Sequence, residues 1–93
     1  MNPPRDPLLA ACLRDGQVVL SYQLGMADGI TLFCRRGGER EFLVLTDDEP
    51  APVVDARPKL DSTRPEVRHY RAVLRYSADE IRRLSNEIIL TLP

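Results

Sequence analysis

The chain has 93 residues, 43% of them hydrophobic, with 13 basic and 14 acidic side chains and a formal net charge of −1. That composition fits one domain with a core of ordinary size and excludes two. Charge this close to balance provides no field to draw in nucleic acid or an anionic membrane, and no stretch approaches the roughly 20 apolar residues of a membrane span. Met1 to Asp6 is a proline-rich lead-in without the charged-then-apolar run of a secretory signal, so the chain as written reads as cytoplasmic. A lead-in of this kind is also what an interdomain linker supplies.

A single domain is expected over residues 7–93. Leu8 to Leu13 is a short apolar run stopped by Arg14-Asp15-Gly16, and Asp-Gly between apolar segments predicts a tight hairpin. Val18, Leu20 and Tyr22 then alternate with Val19, Ser21 and Gln23, the period of two that turns one set inward. After the loop around Gly25 and Ala27-Asp28-Gly29, Ile30, Leu32 and Cys34 alternate with Thr31, Phe33 and Arg35 in a third strand. Gly37-Gly38 breaks it. Glu41 to Thr46 is a fourth strand, followed by the acidic turn Asp47-Asp48-Glu49-Pro50. Val53-Val54, next to two prolines, fits only the edge of a sheet.

Ala56 to Pro65 reads as a long exposed connection. Val67 to Tyr76 is the longest strand, with Tyr70, Ala72, Leu74 and Tyr76 facing in and His69, Arg71, Val73 and Arg75 facing out. Two readings compete for the next segment. Ser77 with Glu80 has the form of a capping box, and Ile81, Leu84 and Ile88 recur at helical spacing. Against a terminal helix, Ile88 to Leu92 is β-prone, and a helix there would leave the long strand without a partner on that side. A turn or single helical turn over residues 79–84, followed by a last strand, is therefore expected.

Seven short strands in this order, with the long connection before the sixth, predict an all-β, immunoglobulin-like sandwich of two antiparallel sheets. The chain resembles the fibronectin type III domain. Pro7-Leu8-Leu9 opens the first strand, Val18 to Tyr22 lies where the family has a strand ending in Trp, and Ile30 to Arg36 matches the third strand. Tyr70-Arg71-Ala72 matches the sixth, and Ser85-Asn86-Glu87-Ile88 leads into the last. The resemblance covers nearly the whole chain. Tyr22 replaces the core Trp, and the family's corner tyrosine corresponds either to Tyr70 or to the position held by Arg68. The family's cell-adhesion tripeptide is absent, since Arg14-Asp15-Gly16 reverses its last two members.

Little here points to catalysis or to a cofactor. His69 is the single histidine, and alternation puts it on the opposite face of a sheet from Cys34, which argues against a nucleophile-base pair. Asp47, Asp48 and Glu49 lack the ordered ligand positions of a calcium loop, and Gly37-Gly38 lacks the Lys and Ser/Thr of a phosphate loop. The informative asymmetry lies on the outer faces. The third, fourth, sixth and seventh strands, one sheet in the resembled fold, carry Phe33, Leu43 or Val44, Val73 and Ile89 outward, edged by Arg35, Arg71 and Arg75. An apolar band rimmed by guanidinium groups marks an association surface.

The expected function is a non-enzymatic protein-binding or spacer module. Its partner would be another protein, a neighbouring domain or itself, with a homodimer among the options. An accessory module of a polysaccharide-acting enzyme is the alternative.

Overall fold

A computed structural model describes residues 9–77 and 81–93. The described residues form eight strands and no helix: β1 (Leu9–Arg14), β2 (Gln17–Tyr22), β3 (Gly29–Arg36), β4 (Leu43–Asp47), β5 (Val53–Asp55), β6 (Glu66–Tyr76), β7 (Ile81–Leu84) and β8 (Ile88–Leu92). β1-β2-β5 make one antiparallel sheet. β4-β3-β6-β7 make the other, with β8 also paired to β6. The proline-rich residues 1–6 lie outside the described part of the chain.

The Asp-Gly hairpin forms as the sequence predicts. Arg14 pairs with Gln17, so the loop has two residues, and Asp15 and Gly16 both take positive φ, 52° and 78°. That is the mirror-image turn whose twist matches the flanking strands, and a Cβ at its second position costs backbone strain. Open space surrounds Gly16, so the strain would act alone. Gly16→Ala is expected to lower the unfolding free energy by about 1–2 kcal/mol with little change in denaturant slope, as read from urea titrations.

The sheets pack face to face through the residues that alternation turns inward. Leu9, Val18, Leu20 and Val53 of the smaller sheet meet Ile30, Leu32, Cys34, Tyr70, Ala72, Leu74 and Leu92 of the larger one. Each fully buried aliphatic side chain contributes about 1.5–3 kcal/mol, which is enough to orient the strands without a metal or cross-link. Tyr22 and Tyr76 pack against this core from its margins. Cys12 is exposed, Cys34 is buried, and both are free thiols.

Three expectations need correction. There are eight strands where seven were expected. β6 has eleven residues, more than one short partner can cover, so β8 pairs with Glu66–Tyr70 and β7 with Val73–Tyr76. The predicted turn over 79–84 is not what Ile81–Leu84 forms, since these residues are strand β7. Their backbone groups find partners on the free upper half of β6, which outweighs the helical spacing of Ile81, Leu84 and Ile88. Residues 79 and 80 of that expectation lie outside the described part. The fourth strand runs Leu43–Asp47 instead of Glu41–Thr46, because its pairing with β3 begins at Leu43 opposite Cys34 and reaches Asp47 opposite Thr31, with a register shift between Leu32 and Phe33.

The break between β7 and β8 is built by two side chains. Ser85 Oγ accepts from the Ala72 amide at 2.8 Å and donates to the Asn86 carbonyl at 2.8 Å. The Asn86 amide accepts from Leu9 N at 2.8 Å and donates to Leu9 O at 2.9 Å, tying the first strand to the last part of the chain.

Candidate functional site

Register fixes where each candidate side chain stands. Phe33 lies opposite Arg71 and Val44, Thr31 opposite Val73 and Asp47, and Val73 opposite Leu84. Arg35 lies opposite His69, His69 opposite Ile89, and Gly29 opposite Arg75, which faces Arg82. Because alternate residues share a face, Phe33, Arg35, Arg71, Val73, Arg75 and Ile89 all stand on the outer face of the larger sheet. Of the two options on β4, Val44 is the outward one and Leu43 pairs with inward Cys34.

The apolar part is a band running Val44, Phe33, Val73, Leu84 across four strands. Phe33 and Val73 are half-buried by their neighbours, whereas Val44 is 61% and Leu84 54% exposed. Ile89, 60% exposed, stands apart beyond His69. Leu84 and Phe42 are members of this face that the sequence reading missed. Phe42 sits two residues before Val44, so its parity is a usable signal; Leu84 falls in the segment expected as a turn or single helical turn, which gives it no sheet face.

Charge is organised around the band, and not all of it is free. The Arg71 guanidinium lies over the Phe42 ring at 3.8 Å from its centroid, with Arg35 at 5.7 Å and the His69 ring edge-on at 6.4 Å. Stacking of this kind holds a guanidinium in place while its N–H edge stays available. Arg75 differs from the other two: its guanidinium pairs with Asp47 at 3.2 Å and Asp48 at 2.5 Å and also donates to Thr31 Oγ1. It is a neutralised bridge and no open rim group. It lies across Gly29, where a Cβ would come within 2.6 Å of Asp48 Oδ1 and closer still to the guanidinium. The Thr31 hydroxyl and Arg75 hold the Asp47 carboxyl below its usual range.

A second cluster, buried except for the part-exposed Arg57, went unpredicted. Arg68 has no exposed surface, and Asp55 and Glu66 are nearly as buried. Arg68 Nε donates to Glu66 Oε2 at 2.6 Å, Nη1 to Asp55 Oδ2 at 3.2 Å, and Nη2 to the carbonyls of Arg57 and Pro58 at 3.0 and 3.3 Å. Tyr70 donates its hydroxyl to Asp55 Oδ2 at 2.7 Å, and Arg57 grips Asp55 with two bonds of 2.7 and 2.8 Å. Two carboxylates and two guanidiniums balance, so the cluster carries no net charge. Burial works to raise the Asp55 pKa, but the bonds from Arg57 and Tyr70 outweigh it and hold the group at about 2. Burial raises the Tyr70 hydroxyl, which therefore stays protonated and donating.

What this cluster can do chemically is limited. Every polar group is turned to a neighbour, and the nearby Cys34 thiol is pushed up by burial, away from the reactive thiolate. Cys34 faces in and His69 faces out, bound to Glu87 at 3.3 Å, so no nucleophile-base pair forms between them. Among the described residues no set of three or more His, Cys, Asp or Glu could hold a metal, and no helix is long and apolar enough to cross a membrane. A depression of about 490 Å³ lies between the β1–β2 turn and the 56–65 connection. Its basic groups are occupied: Arg57 by Asp55, and Lys59 by the carbonyls of Arg64 and Pro93.

Comparison with protein-family models, with curated proteins and with solved structures returns no match to this chain.

Proposed function

We propose that the chain is a non-enzymatic module of the fibronectin type III kind that contacts protein through the outer face of its larger sheet. The observation carrying this reading is the band Val44, Phe33, Val73, Leu84, which crosses four strands, is exposed at Val44 and Leu84 and half-buried between them, and lies beside two ring-held guanidiniums. Contiguous apolar surface on a small domain is kept where something covers it, and Arg at the margin gives orientation.

The family part of the proposal draws on strand order. The third, fourth, sixth and final strands share one sheet, as the resemblance implies, with the final strand divided into β7 and β8. Arg68 adds further support. At the start of the strand after the long connection, it bonds back to the Arg57 and Pro58 carbonyls, the task that the family gives its corner tyrosine. The polysaccharide alternative lacks support: Tyr70 is buried, Tyr22 and Tyr76 pack on the core, and Arg71 covers the Phe42 ring.

The test compares the wild type with a Val44→Glu, Leu84→Glu double variant in enrichment of binding proteins from extract of the source cell. Both sites are exposed, so unfolding midpoints should agree within a few degrees. Proteins retained by the wild type and lost from the variant are the expected result; an unchanged set of retained proteins overturns the reading.

A further inference from the structure

We propose that the outer face of the larger sheet is self-complementary and that its occupant is a second copy of this chain, packed face to face across a two-fold axis lying between the sheets and perpendicular to the strands. This rests on the reading of that face as a protein contact and names the partner.

The argument comes from the placement of charge around the band. Four corners can be distinguished among the described residues. Where β3 begins and β4 ends, Asp47 and Asp48 share the single cation Arg75, leaving an acidic corner. At that same end but across the sheet, β7 presents Arg82, opposite Arg75. At the other end, toward β4, Arg35 and Arg71 stand over Phe42, and neither has a carboxylate within ion-pair distance among the described residues. The fourth corner, toward β8, holds Glu87 on His69. The signs therefore alternate around the band: acidic, basic, acidic, basic.

An alternating pattern of this kind fits its own copy. The proposed axis keeps β4 over β4 and reverses the strand ends, so the Asp47 corner of each copy faces the Arg35 corner of the other, and Arg82 faces Glu87. Both contacts occur twice, which is the mark of an isologous interface. The apolar band runs through the middle, where Val44 and Phe33 approach their own counterparts. Aligned packing of two sheets requires no change of backbone. The chain's net charge of −1 opposes the approach only weakly.

Size sets the expected strength. Four strands spaced about 4.8 Å apart and about 25 Å long give a face of about 480 Å², or about 1,000 Å² for two, at the low end of specific interfaces. Dissociation in the range of about 10–100 µM is therefore expected, and the measurement must reach well above it.

Sedimentation velocity from about 5 to 500 µM is the experiment. The wild type should move from monomer to dimer with concentration, and Val44→Glu should remain monomeric throughout. Arg35→Glu and Asp47→Arg should each weaken dimerisation by about ten-fold or more, because each sets like charges against each other twice. Mixed in equal amounts, these two variants should dimerise with one another, each acidic corner again meeting a basic one. Circular dichroism and unfolding midpoints check that every variant is folded; Leu84→Glu replaces Val44→Glu if the latter is not.

A wild type that is monomeric at 500 µM, a dimer indifferent to both apolar variants, or a mixture that fails to recover what its components lost overturns the proposal. The first result leaves the protein-contact reading in place if the Val44→Glu, Leu84→Glu variant still loses the wild type's bound proteins. Retention of those proteins by that variant removes the contact reading as well.

Discussion

Replacing Arg68 with alanine is expected to lower the unfolding free energy by about 3–5 kcal/mol at neutral pH, the cost of leaving a buried ion network without one of its members. The guanidinium serves Glu66, Asp55 and two backbone carbonyls at once. Its loss leaves Glu66 Oε2 without its bond inside the fold, while Asp55 retains Arg57 and Tyr70. A domain of this length has a total stability of about 5–14 kcal/mol, so a loss of this size removes about a fifth of it or more. Arg68→Met keeps most of the packing volume and should recover little, because the deficit is electrostatic. Adding Glu66→Gln to Arg68→Met should recover part of the loss by removing the stranded charge. Urea titrations decide the matter; an Arg68→Ala midpoint indistinguishable from wild type would show that the network contributes nothing to stability.

Acid is expected to act on the same cluster through Asp55. Its folded pKa is about 2, against an ordinary 3.8. A carboxyl depressed on folding contributes stability that is complete above its unfolded pKa and is lost as pH falls through the folded value. The difference is worth roughly 2 kcal/mol, lost between about pH 4 and pH 2. Glu66 is also depressed, by the Leu60 amide and Arg68 acting against burial, so it adds to the slope with the same sign. Asp55→Asn should therefore be less stable at pH 7 by about 3 kcal/mol, since Arg57 and Arg68 lose their shared anion. It should also show a shallower decline below pH 4. Parallel curves for wild type and Asp55→Asn across pH 2–4 would falsify the assignment of this acid sensitivity to Asp55.

These two residues also show what alternation reveals and what it hides. The inward set Tyr70, Ala72, Leu74 follows from a period of two, and the same step continued backward reaches Arg68 and then Glu66. The signal was present. It was overridden by the rule that charged side chains seek water, a rule that holds only where no partner awaits inside. The partners, Asp55 and the carbonyls of the connection, are brought up by tertiary packing 10 to 13 residues away, which no local pattern records.

The hairpin at Asp15-Gly16 was legible because its turn is determined by its own two residues. β7 was not, since Ile81 and Leu84 are spaced as on one helix face and fall on opposite faces of a strand, and only pairing with the half of β6 that β8 leaves uncovered draws them into the sheet. On the outer face, Phe33, Arg35, Arg71, Val73 and Ile89 stand where alternation puts them, but their surroundings could not be read in the same way. Arg75 is bound to two aspartates contributed by β4 and the turn after it, and Phe42 lies beneath guanidiniums from β3 and β6.

The two bonds between Asn86 and Leu9 have a consequence for the speed of folding. They join residues 77 positions apart, so they cannot form until nearly the whole chain has been drawn into one closed loop. Closure of a loop that long costs entropy before the two bonds and the packing of Leu9 are gained, so the clasp is expected at the last stage, after the β1–β2 hairpin has formed locally. Folding in milliseconds to seconds is expected of such a topology, with the first strand docking late on a larger sheet already assembled around β3 and β6.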